Sequence, residues 1–287
     1  MCNPNCLRFV NESLSASDVG GRRVLEVGAY DVNGSPRAVI EAMGPASYLG
    51  VDIMDGPGVD EVCSVEGLLD RFGPEAFDVV VSTEMIEHVA DWQGAVSNLK
   101  RVTAPEGVIV LTTRSKGFPL HDYPADYWRF EQEDMRVVFS DCAVEELESD
   151  APEDPGVFVK ARKPGDFREL DLAGYALFSM VSGGRALTAA DAQRAVADAQ
   201  QAVADAQRAV ADAARLQELE ARVSQLQEQT GDLRESNRLL ASEAASVGAQ
   251  LHAMEQLRVL RYSAPLRRLY GSTRAALQSR SKEPGTA

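Results

Sequence analysis

A seven-residue unit that repeats almost unchanged limits the folds open to this chain of 287 residues. The sequence reads AVADAQQ from Ala195, AVADAQR from Ala202 and AVADAAR from Ala209. In a coiled coil, a period of seven residues places two apolar positions of every heptad along one seam of the helix. The repeat therefore predicts a long α-helical coiled coil, which we assign to residues 187–257.

The apolar seam continues beyond the repeats after a slip of one residue, which bends a supercoil without ending it. Before the slip, Val196, Val203 and Val210 occupy one core position. After it, the core positions are Leu216, Leu219, Val223, Leu226, Thr230, Leu233, Asn237, Leu240, Ala244, Val247, Leu251 and Met254. A lone helix would leave this seam exposed, so we expect a homodimer, and Asn237 in the core favours two parallel helices in register.

Residues 23–165 have a different character, because short apolar runs alternate with stretches of helical spacing. Gly and Pro residues separate them, a rhythm typical of β-α units around a mostly parallel sheet. The strand candidates are Arg23–Val27, Ser47–Val51, Phe77–Val81, Val108–Thr113 and Val157–Val159, and the helix candidates are Pro36–Met43 and Asp91–Val102. The predicted fold class is α/β, with a doubly wound, mostly parallel Rossmann-like sheet ahead of the coiled coil.

Changes of composition divide the chain into five predicted segments. Residues 1–22 form an N-terminal cap, residues 23–165 the α/β domain and residues 166–186 a helical linker. The coiled coil of residues 187–257 follows, and residues 258–287 form a basic amphipathic tail.

The tail is positively charged, whereas the whole chain has a net charge of −15. Between Gln256 and Lys282 it has six Arg, one Lys and no acidic residue. Interspersed Leu residues make it amphipathic, so we expect contact with an anionic membrane surface or, alternatively, with an acidic protein surface. The anionic body disfavours nucleic acid as a partner. No apolar stretch approaches the roughly 20 residues of a membrane-spanning helix, so we expect a cytoplasmic protein, peripheral at the inner membrane face.

A turn suited to a nucleoside ligand follows the first predicted strand. Gly28 lies in this turn, where backbone groups come close to a ligand in doubly wound folds. Asp52 ends the second strand and is placed to accept hydrogen bonds from ribose hydroxyls. The two features together predict a nucleoside-binding domain; a dinucleotide dehydrogenase is the structural rival, but the G-x-G-x-x-G motif is absent.

Two further segments resemble class I S-adenosylmethionine-dependent methyltransferases. The strand from Phe77 runs into Glu87-His88-Val89, similar to the E-H-V helix start of a small bacterial, type-11-like branch. Pro105-Glu106-Gly107 stands where that branch has a P-G-G turn. The resemblance covers residues 24–161 and implies a methyltransferase that uses S-adenosylmethionine (SAM), of the kind associated with surface-polysaccharide biosynthesis.

The resemblance also implies cofactor contacts. Glu26 would organise the methionine end of SAM, Ile53 would pack against the adenine, and Ser64 stands where the family often has an acid near the adenine amino group. The turn departs from the family's E-x-G-x-G motif, because Tyr30 replaces the second glycine. The implied cofactor-binding residues are Glu26, Gly28, Ala29, Tyr30, Asp52, Ile53 and Ser64.

The acceptor is expected at the loop that follows the strand from Val108, because ligands of doubly wound folds lie at the carboxyl ends of strands. This loop contains the pattern H-x-Y-P-x-D-Y-W-R from His121 to Arg129, which is similar to methyltransferases encoded with bacterial surface-polysaccharide enzymes. We expect Tyr123, Trp128 and Arg129 to bind the substrate, although Trp128 has the alternative role of anchoring the loop in the core.

Methyl transfer requires alignment and, for a hydroxyl acceptor, removal of a proton. We expect His121 to act as general base, with bracing of the loop as its alternative role. Glu84 and His88 are further catalytic candidates, each of which has a helix-capping or packing alternative. Cys2 and Cys6 provide only half of a zinc site, so we predict no metal.

The predicted function is SAM-dependent methyl transfer to a small-molecule or glycan-linked acceptor, with a hydroxyl as the preferred acceptor group, in cell-surface polysaccharide biosynthesis. The alternative is a catalytically silent scaffold with the same fold, whose coiled coil recruits glycan-assembly enzymes. Methyl transfer to a nucleotide-sugar or lipid-linked glycan would distinguish the two.

Overall fold

The computed structural model describes residues 4–121 and 125–256. The chain divides into two compact units, of which the first ends at Val203 and the second begins at Ala204. Three predictions concern parts of the chain outside the described residues: Cys2, Tyr123 and the basic tail of residues 258–287.

A seven-stranded sheet forms the centre of the first unit. Its strands are β1 (Arg23–Val27), β2 (Ser47–Asp52), β3 (Glu61–Val62), β4 (Phe77–Thr83), β5 (Thr103–Arg114), β7 (Ala143–Ser149) and β8 (Gly156–Arg162), while β6 (Trp128–Arg129) lies elsewhere. The order is β3-β2-β1-β4-β5-β8-β7, and β8 alone runs opposite to the other six strands. The predicted doubly wound, mostly parallel sheet is confirmed.

Helices cover both faces of this sheet. They are α1 (Pro4–Ser13), α2 (Ala16–Val19), α3 (Arg37–Glu41), α4 (Leu68–Phe72), α5 (Trp92–Val102) and α6 (Gln132–Val138), with 3-10 turns at Val65–Gly67 and Ile86–His88. Successive residues of β4 alternate between the two cores: Val79 and Val81 pack on one face, and Val80 on the other. This double burial explains the continuous apolar runs of the strands.

The N-terminal segment packs against the face of the sheet that includes Val79. Phe9 of α1 contacts Phe158 of β8, with ring centroids 5.4 Å apart, and both side chains are buried. Cys6 lies in the same core. The predicted cap therefore contributes to the core of the first unit.

A second, three-stranded sheet replaces the helical linker predicted for residues 166–186. Strands β9 (Leu177–Ser179) and β10 (Arg185–Ala186) form it together with β6, in the order β10-β9-β6. Gly183, with a φ of 67°, supplies the left-handed residue of the β9–β10 hairpin. Leu177 is fully buried, so this segment belongs to the packed unit.

Helix α7 spans Ala189–Gln256 without interruption. Thr188 begins it, because its hydroxyl accepts a hydrogen bond from the backbone N–H of Asp191 at 3.1 Å. The seam residues are exposed in the single chain, as Val210 at 72% and Leu233 at 67% illustrate. The predicted long helix is confirmed, whereas its pairing with a second copy stays a prediction.

Within residues 4–121 and 125–256, no helix combines the length and the apolar character that crossing a bilayer requires.

Candidate active site

A cavity of about 400 Å³ lies at the carboxyl ends of β1, β2 and β4. Parallel strands of doubly wound folds carry their ligands at this edge. Nine of the predicted site residues line the cavity: Glu26, Gly28, Ala29, Tyr30, Asp52, Ile53, Glu84, His88 and His121. The sheet order places Asp52 on the β2 side of the cavity and His88 on the β4 side.

The turn after β1 depends on glycine. Gly28 has a φ of 84°, and a Cβ atom at this position would lie 2.8 Å from the Cβ of Met85. The backbone N–H groups of Gly28 and Ala29 donate to the carbonyl of Val51 at 2.9 and 3.0 Å. These two N–H groups therefore connect β1 to β2. Gly28 and Ala29 line the cavity with atoms other than these N–H groups.

The Asp52 carboxylate is oriented by the backbone around it. Its Oδ2 accepts a hydrogen bond from the N–H of Tyr30, and its Oδ1 accepts one from the N–H of Met54, both at 3.1 Å. The Tyr30 ring fits because residue 56 is glycine, where a Cβ atom would lie 2.1 Å from the ring. Tyr30 in place of the family's second glycine is therefore accommodated without loss of the Asp52 orientation.

Glu26 is a buried acid on the cavity wall, with 1% of its surface exposed. It accepts a hydrogen bond from the hydroxyl of Tyr48 at 2.6 Å, and the Ser35 hydroxyl lies 3.4 Å away. Burial raises the pKa of Glu26 to about 7, against the opposing effect of these hydrogen bonds and of Arg37. A cation placed beside it, such as an ammonium group, would favour the charged carboxylate.

The two residues predicted to contact the adenine differ in position. Ile53 lines the cavity with half of its surface exposed. Cys63 and Val65 line the wall where Ser64 was expected, and Ser64 does not. Ser64 has an extended backbone ahead of the 3-10 turn Val65–Gly67, and successive side chains of an extended segment point to opposite sides.

Three side chains converge on the β4 side: Glu87, His88 and His121. The Oε1 atom of Glu87 lies 3.9 Å from the Nε2 atom of each histidine. Glu87 is fully buried and was not among the predicted site residues, although it belongs to the quoted E-H-V motif. We call these three residues the acceptor cluster.

The acceptor cluster is held by its surroundings. His88 Nδ1 lies 2.5 Å from the carbonyl oxygen of Ala125, and His121 Nδ1 lies 3.0 Å from Oδ2 of Asp126. Burial raises the pKa of Asp126, but hydrogen bonds from Arg129 and His121 outweigh it and hold this pKa well below its usual range. Asp126 is a second residue that the sequence prediction missed, although it is the acid of the H-x-Y-P-x-D-Y-W-R pattern.

Glu84 lies at the end of β4 with a φ of 54°, which is strained for a residue other than glycine. It accepts a hydrogen bond from the Cys6 thiol at 3.1 Å and pairs with the Arg114 guanidinium. Burial and the neighbouring Glu87 raise the pKa of Glu84 to about 7. Cys6 thus has a buried carboxylate as its partner.

The two predicted substrate-binding residues in the described part of the loop are internal, which corrects their assignment. Trp128 and Arg129 are both fully buried, and neither lines the cavity. The Trp128 indole donates to the carbonyl of Val89 at 2.9 Å, and Arg129 donates to Asp126. Trp128 therefore anchors the loop in the core, which is the alternative role that the sequence offered for it. Arg129 holds Asp126 in place.

Comparison with known proteins matches the chain to a methyltransferase domain. The family model described as a methyltransferase domain covers residues 4–145. A ubiquinone biosynthesis O-methyltransferase of Pseudomonas entomophila (strain L48) is 29% identical over 125 residues, which make up 39% of this chain and 51% of that protein. The chain therefore spans about half the length of this curated relative.

Solved structures of similar fold show low sequence identity. The 1,6-didemethyltoxoflavin-N1-methyltransferase of Burkholderia thailandensis, solved with S-adenosylhomocysteine, is 16% identical with a TM-score of 0.47, over 55% of this chain and 78% of that one. A SAM-dependent methyltransferase of Mesorhizobium loti is also 16% identical, with a TM-score of 0.40, over 54% of this chain and 96% of that one.

The sheet order and the cavity at the strand ends define a Rossmann-like fold with a ligand site at the sheet edge, and residues 4–145 match a methyltransferase domain. The match to a methyltransferase domain agrees with SAM as the predicted cofactor. The predicted fold class is confirmed, and the methyltransferase match agrees with the predicted enzyme class.

Proposed function

We propose that this protein transfers a methyl group from SAM to a hydroxyl group of a small-molecule or glycan-linked acceptor. One observation carries the proposal: a single cavity is lined both by the predicted cofactor residues, such as Glu26 and Asp52, and by His88 and His121 of the acceptor cluster. In this proposal the methyl donor and the group that takes up a proton share one cavity.

Glu26 and Asp52 hold the cofactor in this proposal. Asp52, oriented by two backbone N–H groups, accepts hydrogen bonds from the ribose hydroxyls. The charged Glu26 accepts from the ammonium group of the methionine end. SAM held by these contacts would supply an activated methyl group to an acceptor in the same cavity.

Methyl transfer is an in-line displacement, in which the bond from sulfur to the methyl carbon breaks as the bond from carbon to the acceptor oxygen forms. The hydroxyl proton passes to Nε2 of His121, because Asp126 beside Nδ1 favours a proton on that atom and leaves Nε2 as the base. S-adenosylhomocysteine and the methyl ether are the products. Glu84 and His88 border the same space and position the acceptor.

Support for an oxygen acceptor comes from the O-methyltransferase named among the relatives. Support for a glycan acceptor comes from the similarity of the loop to methyltransferases of surface-polysaccharide gene clusters. We therefore infer a role in cell-surface polysaccharide biosynthesis, in the cytoplasm, on an acceptor that a nucleotide or a lipid carries.

The decisive experiment offers methyl-labelled SAM and three acceptor pools: nucleotide sugars, lipid-linked glycans and free phenols. We expect label to enter one pool, and His121→Ala to reduce this transfer by about 10²–10⁴-fold with SAM affinity unchanged. His252→Ala, in the exposed helix α7, is the matched control. Bound SAM without transfer to any pool would favour the scaffold alternative instead.

We also propose that α7 pairs two copies of the chain in parallel. The exposed seam, which includes Leu219, Leu226 and Leu233, needs a partner to leave water, and the heptad register supplies an identical one. Light scattering should give twice the chain mass for the full protein and the single mass for a chain that ends at Ala186. A full-length monomer would exclude the pairing.

The basic tail of residues 258–287 suggests peripheral membrane contact, which would bring the domain to a lipid-linked acceptor. Each basic residue close to an anionic surface contributes about 1 kcal/mol. The full chain should sediment with anionic but not with neutral vesicles, and a chain that ends at Gln256 should remain in solution. Equal recovery of the full chain from both vesicle types would assign the tail to protein binding.

A further inference from the structure

The acceptor cluster contains three atoms that accept hydrogen bonds and face one another. They are Oε1 of Glu87 and the Nε2 atoms of His88 and His121, and all lie within 4.8 Å of each other. Among the described residues, Oε1 of Glu87 is buried without a hydrogen-bond partner. Its other oxygen, Oε2, accepts from the hydroxyl of Thr113 at 2.7 Å.

The partners of the two rings determine where their protons lie. A carbonyl oxygen only accepts hydrogen bonds, so the contact with Ala125 requires the proton of a neutral His88 on Nδ1. The Asp126 carboxylate beside Nδ1 favours the same tautomer in His121. Both Nε2 atoms then carry lone pairs, and each lies 3.9 Å from Oε1 of Glu87.

Oε1 of Glu87 needs a donor or a positive charge beside it, because buried acceptors are normally satisfied. We propose that Glu87, His88 and His121 bind one divalent cation of the first transition series. The outer contacts fit this role, because metal-binding imidazoles usually donate their other N–H to a carboxylate or a backbone carbonyl, as His121 and His88 are placed to do.

The distances leave room for a cation of this kind. A tetrahedral ion with bonds of about 2.0–2.2 Å holds its ligand atoms about 3.4 Å apart, so side-chain rotations that move these atoms by about 1 Å close the site. Two imidazoles and one carboxylate suit zinc, manganese, iron or cobalt, whereas calcium and magnesium prefer oxygen ligands alone. Cys6, one of the two cysteines considered in the sequence, is not among these three ligands, because its thiol donates to Glu84.

Three protein ligands leave an open coordination position, and His88 and His121 both border the cavity. An acceptor hydroxyl bound there would lose its proton to water more readily, and the resulting alkoxide would attack the methyl carbon. This role rests on the proposed function and changes that of His121: its Nε2 binds the cation when the site is filled and takes the proton when it is empty. Cation binding itself requires neither SAM nor an acceptor.

The test titrates the untagged full-length protein with Co²⁺ after chelator treatment and records the visible absorption bands of the ion. We expect one Co²⁺ per chain and its displacement by Zn²⁺. Glu87→Gln, His88→Ala and His121→Ala should each weaken binding by at least about 100-fold. His252→Ala should bind as the unaltered protein does, and retained affinity for S-adenosylhomocysteine reports that each variant is folded.

The same experiment separates this inference from the proposed function. Stoichiometric Co²⁺ that is lost in the three variants supports the site, even if no acceptor is methylated. Absence of Co²⁺ binding to the unaltered protein, or binding that survives both Glu87→Gln and His121→Ala, overturns it. Methyl transfer that is insensitive to chelation but lost in His121→Ala also overturns the catalytic role of the cation and leaves His121 as the base.

Discussion

The two sides of the cavity are built by different kinds of contact. On the cofactor side, Asp52 is oriented by backbone groups of the adjoining turns, and Ile53 is half exposed. On the acceptor side, Glu87 and Asp126 are buried and are held by side chains from other elements. Backbone groups therefore orient the cofactor side, while the acceptor side depends on a network of buried side chains.

This difference has energetic consequences. A half-exposed group that loses a partner can be hydrated, whereas a buried charge that loses its partner keeps its full desolvation cost. Substitutions on the acceptor side should therefore act first on folding, and substitutions on the cofactor side should act first on binding.

The largest effect is expected from Arg129→Met, which leaves the Asp126 carboxylate buried without its guanidinium partner. The free energy of unfolding should fall by about 3–5 kcal/mol, the usual cost of breaking a buried ion pair from one side. Urea unfolding at neutral pH measures it. Arg136→Met, at an exposed arginine of α6, should change stability by less than about 0.5 kcal/mol.

Equal stabilities of the two arginine variants would show that the Asp126 carboxylate is solvated after the substitution. The acceptor side would then resemble the cofactor side, and the contrast between them would fail.

Glu26 is the exception on the cofactor side, because it is buried. Its burial should make the stability of the protein depend on pH. Its pKa rises on folding from an ordinary value of 4.5 to about 7, so the folded state binds more protons between these pH values. Stability of the cofactor-free protein should therefore fall as pH rises from about 4.5 to about 7, by about 3 kcal/mol at 1.36 kcal/mol per pKa unit. Urea unfolding at several pH values measures it.

Glu26→Gln should remove this part of the pH dependence, because the amide does not titrate. Glu41→Gln, at an exposed glutamate of α3, should retain it. If both variants lose stability with pH as the unaltered protein does, Glu26 is charged in the folded state at low pH and its burial has no energetic effect.

Asp52→Ala tests the solvated part of the cofactor side. Each hydrogen bond to a charged group is worth about 1.5–3 kcal/mol, so SAM affinity should fall at least about tenfold. Calorimetry with SAM and S-adenosylhomocysteine measures it, and circular dichroism checks the fold. Asp55→Ala, in the exposed loop that follows, should bind both ligands normally. Unchanged SAM affinity of a folded Asp52→Ala variant would exclude the proposed contact between Asp52 and the ribose.

The same contrast determines what the sequence could predict of the fold. Strands β1, β2, β4 and β5 were predicted because burial on both faces leaves continuous apolar runs. The two-residue strands β3, β6 and β10 have no such signal, since contacts with distant elements decide their pairing. The hairpin of β9 and β10 was missed for this reason, although Gly183-Gly184 marks its turn.

The site divides in a similar way. Asp52 and Gly28 were predicted because strand ends place adjoining residues at the ligand edge. Within the acceptor loop, the order of residues does not show which side chains face the cavity and which face the core. Trp128 and Arg129 were therefore assigned to the substrate, while Asp126, three residues before Arg129, was overlooked.

The smallest expected effect concerns backbone strain, which Glu84 on the acceptor side shares with Glu106 at the surface. Their φ values are 54° and 61°. A left-handed conformation costs a residue with a Cβ atom about 1–2 kcal/mol, so Glu106→Gly should stabilise the protein by about 1 kcal/mol. Glu106→Ala should not, because alanine keeps the Cβ atom; thermal unfolding compares the two.

Glu84→Gly should relax the backbone as Glu106→Gly does, but it also removes a buried carboxylate. The Arg114 guanidinium and the Cys6 thiol lose their partner, so this variant should be less stable than the unaltered protein despite its relaxed backbone. Methyl transfer should survive Glu106→Gly and not Glu84→Gly. If both glycine variants are stabilised equally, the strain at Glu84 is independent of its ion pair, and the buried network does not extend to this residue.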